Sequence, residues 1–248
     1  MEPTEPTPEA ASEQEFLVRP GTVEDLPGVY DVYAASVADG VVPEPRPEAE
    51  VRAWIDGSLD DGKSLWVAER DGQLLGFAVV RGAWLFLLFV HPGRPARGVG
   101  VALMELVKAL LPHGFGLRVH VANERARSFY RRHGLVELET TDGSSFPDHE
   151  PDVKMAWLGD DPVAYLRGRI DEVDDELAVL LARRAALTGA VQDLKEVGGH
   201  AGRDPEREAE IVDRMAAQVP GLGRDQLARV MHTVIAESLA AWERRASG

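Results

Sequence analysis

The sequence predicts an α+β domain, a mixed sheet with flanking helices, followed by an all-α domain of three helices. Three observations predict it. Residues 16–158 alternate short β-rich runs with amphipathic stretches, whereas beyond Asp160 every periodic segment has helical spacing. Composition changes at "GDDP", residues 159–162, where Asp161 can cap a helix and Pro162 suits its first turn. From Val163 to Lys195 there is no Pro, and Ile170, Val173, Leu177, Leu180, Leu187, Val191 and Leu194 fall at the spacing of one long amphipathic helix.

Composition bounds the function. The chain has 248 residues and a net charge of −15, which argues against a chain-wide surface for nucleic acid or for an anionic membrane. With no cysteine, disulfides, thiolate zinc sites and a cysteine nucleophile are excluded, and no metal is expected. No run is long and apolar enough to span a bilayer. Residues 1–15, "MEPTEPTPEAASEQE", are acidic and Pro-rich and read as a disordered tail, not a signal peptide. The expected location is the cytoplasm.

The elements follow in order. "FLVRPGTVEDLPGVYDVYAASV" reads as a strand, a turn and a helix begun by Thr22 or Asp25; residues 39–47 read as a loop, and a helix is expected around 47–57. Two β-rich runs flank Asp71-Gly72, a strong short hairpin signal. "AWLFLLFV", 83–90, suits a strand buried on both faces. The loop "HPGRPARGVG", the helix "VALMELVKALL", the strand "FGLRVHV" and the helix "NERARSFYRRHG" come next, and "LVELET" and "DVKMAWL" close the domain. After the 159–162 linker, the second domain (163–246) has helices to about Lys195, from Asp204-Pro205 to about Gln218, and from about Arg224 to Arg244.

Two segments carry chemistry. A strand ending at Phe89–Val90 leads through a Gly-rich loop into a helix, and amides at a helix N-terminus bind phosphate oxygens that glycine lets approach closely. In the long helix, the heptad register puts Arg184 where a Leu belongs. A guanidinium inside a bundle is costly unless an anion meets it. Three turns span about 10.8 residues, so Arg184 and Lys195 share a face about 16 Å apart. Arg167 lies about 25 Å from Arg184 along the axis and reaches the same ligand only from an antiparallel second copy.

With "NERARSFYRRHGL", the Gly-rich segment resembles the GNAT family of acetyl-CoA-dependent N-acyltransferases over roughly residues 16–158. The resemblance implies that Arg97, Gly98, Val99 and Gly100 hold the coenzyme A pyrophosphate. It implies that Phe89 and Val90 pair with the pantetheine arm, that Asn123 lies along it, and that Tyr130 is the general acid for the departing thiolate. Two departures stand out. Pro95 occupies the family's usual Gln or Arg position and has no amide hydrogen, so Arg94 or Arg97 is expected to make the phosphate contact. No carboxylate lies on 83–90 to serve as base, and His120, a lone histidine nearby in sequence, is read as structural. The acceptor is an unidentified amine.

Residues 163–245 resemble the all-helical AroQ-class chorismate mutases, without a gap from Arg167 to Glu208. The resemblance implies an intertwined homodimer that rearranges chorismate to prephenate without a cofactor. Arg167 would contact a carboxylate bound by the partner subunit. Arg184 would bind a carboxylate, Lys195 the ether oxygen, and Asp204 and Glu208 the ring hydroxyl. Arg207 belongs to the same wall and Ser238 meets a carboxylate. The family's Gln or Glu beside the lysine is here Trp242, whose indole offers one donor and no acceptor. Alternatives are an aminodeoxychorismate or isochorismate enzyme, or a non-catalytic dimerisation or sensing module attached to an acetyltransferase. The fusion suggests aromatic amino-acid supply or an aromatic specialised metabolite.

Overall fold

The computed structural model describes residues 16–40, 48–59, 62–94, 96–144, 150–194, 204–219 and 221–246. The expected tail, Pro95 and Lys195 lie outside these. The chain divides into two compact units, Met1–Leu166 and Arg167–Gly248.

The first unit is a seven-stranded sheet in the order β1-β2-β3-β4-β5-β7-β6. Its strands are β1 (Leu17–Pro20), β2 (Lys63–Arg70), β3 (Gln73–Arg81), β4 (Trp84–Val90), β5 (Phe115–His120), β6 (Val136–Thr141) and β7 (Asp152–Trp157). Its helices are α1 (Leu26–Ala38), α2 (Glu48–Asp56), α3 (Val99–Leu110) and α4 (Glu124–Arg132). The β2–β3 hairpin turns on Asp71 at φ 51° and Gly72 at φ 74°, the two positive angles that a type I′ turn requires. A short 3-10 turn, Val23–Asp25, precedes α1.

Two cores lie on opposite faces of the sheet, because side chains alternate along each strand. One gathers Val29, Val32 and Tyr33 of α1 with Ile55, Val67, Phe77, Val79 and Leu87. The other gathers Leu103, Met104 and Val107 of α3 with Phe115, Leu117, Val119, Tyr130 and Met155. Arg19 fastens the first edge: it pairs with Asp25 and Glu69, each at 2.7 Å.

β4 differs from expectation. It is not buried on both faces, since Phe86 is half-exposed. Val79 pairs with Leu87 but Val80 with Leu85, so Phe86 is the extra residue of a bulge, and a bulge re-aims the side chains around it. Beyond it, Leu87 and Phe89 face the α1 core while Leu88 and Val90 face the α3 core.

The second unit is helical. α5 (Pro162–Leu194) enters it uninterrupted, followed by α6 (Pro205–Ala216) and α7 (Arg224–Ala246). Asp161 caps α5 by accepting from Ala164 N at 3.0 Å, and Asp204 caps α6 through Arg207 N at 3.0 Å. α6 and α7 share a small core of Val212, Leu227 and Met231. The stripe foreseen on α5 is present but uncovered in the single chain. Val173, Leu180 and Leu187 are 62%, 58% and 61% exposed.

Candidate functional site

In the first unit the site grows from a split in the sheet. Among the described residues, β4 and β5 are its one parallel neighbouring pair and are joined at a single register pair, Trp84 with Gly116. Gly116 N donates to Ala83 O at 2.9 Å there. Beyond that point the strands part, and β4 leads through the Gly-rich loop into α3.

Gly98 has φ 87°, a left-handed conformation that costs glycine little. The first bond of α3 runs from Ala102 N to Gly98 O at 2.8 Å. The amides of residues 98–101 therefore precede the ladder and are available to a ligand. A Cβ on Gly98 would meet nothing within 4 Å, so the loop is open there. Arg97 is exposed beside it. Arg94 is committed elsewhere, to the carbonyl of Leu74 and the carboxylate of Asp31, which leaves Arg97 as the expected phosphate contact.

α4 carries the other expected residues. Asn123 caps it, its side chain accepting from Ala126 N at 3.0 Å, and so sets the helix that presents Tyr130. The Tyr130 ring packs at 5.5 Å against Phe129. Burial alone pushes its phenol up to about 12, because a phenolate loses its hydration there. The hydroxyl thus keeps its proton at neutral pH.

In the second unit the structure brings two expected residues together. Arg184 donates to Ser238 Oγ at 3.0 Å, and that hydroxyl donates to Val234 O at 2.6 Å. Ser238 is 6% exposed. Asp204, Arg207 and Glu208 lie on the first turn of α6. There Arg207 reaches Glu210 at 2.8 Å. Arg167 is exposed on α5.

Trp242 has a partner the sequence did not suggest. Its indole donates to Asp193 Oδ1 at 2.7 Å, while Arg245 takes Asp193 Oδ2 at 2.7 Å. Asp193 reads in sequence as one more solvated acid. Only the parallel course of α5 and α7 at this level identifies it as the anchor of the indole.

The fold and sites define the class: a mixed sheet whose β4 runs through a Gly-rich loop into a helix, and a helical unit with cations on its long helix. The GNAT acetyltransferase family profile matches residues 29–135, and that of chorismate mutase type II matches residues 166–242. The chain is 30% identical over 141 residues to a peptidyl-lysine N-acetyltransferase of Escherichia coli, YiaC, covering 53% of this chain and 92% of that protein. It is 36% identical over 93 residues to a phosphinothricin N-acetyltransferase of Alcaligenes faecalis, covering 33% of this chain and 47% of that one. The apo form of YjaB from Escherichia coli covers 58% of this chain and 99% of its own, at 23% identity and a TM-score of 0.48. The chain therefore belongs to the GNAT acetyltransferase family, with a type II chorismate mutase domain at its C-terminal side.

Proposed function

We propose that the first unit transfers an acetyl group from acetyl-CoA to a primary amine and that the second rearranges chorismate to prephenate. For the first unit the carrying observation is the β4–β5 pair that meets at Trp84 and Gly116 and then leads, through a loop with open amides at 98–101, into α3. The amides and Arg97 would hold the pyrophosphate, and the freed edge of β4 at Phe89–Val90 would pair with pantetheine. Tyr130 would protonate the thiolate as the amine displaces it. Asn123 serves the same end by setting α4. A lysine side chain is the first acceptor to test, because the relative covered over 92% of its length acts on peptidyl lysine. The excess of acid over base in this chain suits a basic peptide.

For the second unit the carrying observation is Arg184 held against Ser238. A pericyclic rearrangement needs no nucleophile; it needs the dicarboxylate held in its reactive shape and the negative charge growing on the ether oxygen met by a cation. Arg184 and Ser238 would take a carboxylate and Lys195 the ether oxygen. Asp204, Arg207 and Glu208 would line the ring. The exposed α5 stripe would be covered by a second copy, bringing its Arg167 to this site. Trp242, with its donor already given to Asp193, adds nothing at the ether oxygen. That observation favours a second reading, in which an aminodeoxychorismate or isochorismate is the substrate.

The deciding measurement is consumption of chorismate, isochorismate and aminodeoxychorismate by the full chain. Arg184→Ala should lower whichever rate is seen by about a hundredfold, the scale of losing one preorganised charge donor. A rate untouched by that substitution would remove Arg184 from the site.

A further inference from the structure

We propose that Gln192 gives the substrate's ether oxygen the neutral hydrogen-bond donor that Trp242 does not supply. The inference rests on the reading of the second unit as a mutase of a chorismate-type dicarboxylate.

Placement comes from the helix. α5 turns about 100° per residue, so with Arg184 at the origin Gln192 lies at about 80° and Asp193 at about 180°. α7 covers the sector between them. At one edge Arg184 donates to Ser238 Oγ. At the other, Asp193 accepts from the Trp242 indole and from the Arg245 guanidinium. A Cβ added to Gly189, three positions before Gln192, would lie 3.1 Å from Arg245. Gly189 and Gln192 are the buried residues of α5 among those described. Gln192 therefore sits between the two anchorages of α7, and the indole is tied on the side of α5 away from Arg184.

The second observation is an amide with an unmet atom. Gln192 is 7% exposed, and its Oε1 is enclosed and accepts no hydrogen bond among the described residues. An enclosed polar atom without a partner is costly. An apolar side chain of the same length would fill the space without that cost. A half-turn of the terminal torsion exchanges Oε1 with Nε2, so the unmet position can present an acceptor or an N–H donor. The charge of the site selects the donor. Arg184, and Lys195 on the helix expected to reach it, call for an anionic ligand, whose oxygens accept. Helix positions three apart are neighbours, so the amide of Gln192 and the ammonium of Lys195 would reach the same ligand atom.

The chemistry uses the two donors differently. In the rearrangement the bond from the ring carbon to the ether oxygen breaks as a carbon–carbon bond forms, and that oxygen ends as the product's ketone. Lys195 meets the growing negative charge with a cation. The amide adds a directed N–H whose bond strengthens as the charge grows. No proton leaves the amide, so Gln192 ends the step as it began.

The test uses the full chain and whichever of chorismate, isochorismate and aminodeoxychorismate it consumes. Gln192→Met keeps the length of the side chain and removes the amide. It should lower kcat by about a hundredfold and leave KM little changed, because the donor acts on charge that develops in the transition state. Its melting temperature should equal or exceed that of the wild type, because no unmet atom remains. Trp242→Gln should raise kcat by a larger factor in the Gln192→Met chain than in the wild type, because it then returns a missing amide. An unchanged kcat in Gln192→Met would overturn the proposal, and loss of activity in Arg184→Ala beside it would leave the mutase reading intact. If Gln192→Met melts below the wild type, equal gains from Trp242→Gln in the two backgrounds overturn the proposal instead. A wild-type chain that consumes none of the three substrates overturns both.

Discussion

Tyr130 shows how one side chain is fitted for its proposed work. Its ring fills the α3 core while burial pushes the phenol up to about 12, so the hydroxyl holds a proton at neutral pH, as the proposed acid needs. Tyr130→Phe should therefore lower coenzyme A release by about a hundredfold and leave the melting temperature nearly unchanged, since the ring packing is kept. Turnover that survives would give the acid role to another group. Trp242 makes the contrary case. Its donor is committed to Asp193, so Trp242→Gln should raise mutase turnover by supplying the amide that the family has at this position. Comparing chorismate rates of the two proteins checks it. The residue types were legible in the sequence, and so were the Gly-rich loop and Arg184. Asp193 was not, because it acquires meaning from a partner on a distant element, Trp242.

The elements follow local rules with few exceptions. Asp71-Gly72, Asp161-Pro162 and Asp204-Pro205 each start or turn the chain where their chemistry requires. β4 is the exception, because its bulge comes from the register it adopts against β3 and not from its own apolar run. β1 is held by Arg19, whose hydrogen bond holds the Asp25 carboxyl below the usual carboxylate range, aided by the Thr22 amide. A group with a depressed folded pKa contributes stability that is present above its unfolded value, about 3.9, and is lost as pH falls through the folded one. Arg19→Met should therefore melt lower than the wild type at pH 7. The gap should shrink as pH drops below about 4, which thermal melts at several pH values will show.

For the molecule as a whole, the exposed stripe on α5 is the most consequential feature. Val173, Leu177, Leu180 and Leu187 are each at least 49% exposed in the single chain, an apolar stripe of the kind that marks an interaction surface. A second copy is the expected cover, and a carboxylate at its centre would oppose it. Leu177→Glu with Leu180→Glu should convert a dimer to a monomer by light scattering. Mutase activity should be lost, because Arg167 is then no longer supplied, while the melting-temperature response to acetyl-CoA stays. A double variant that remains dimeric would place the interface elsewhere.

The sequence by itself determined the two folds, because those rest on local periodicity, capping and spacing within single elements, and its motifs carried the resemblance to the two families. Tertiary structure decided which of these residues meet. It joined β4 to β5 only at Trp84 and Gly116 among the described residues, set Arg184 against Ser238, and gave the indole of Trp242 to Asp193. Such pairings depend on strand register and helix packing across tens of residues. No local pattern encodes them, because each is set by the burial of all the other side chains at once.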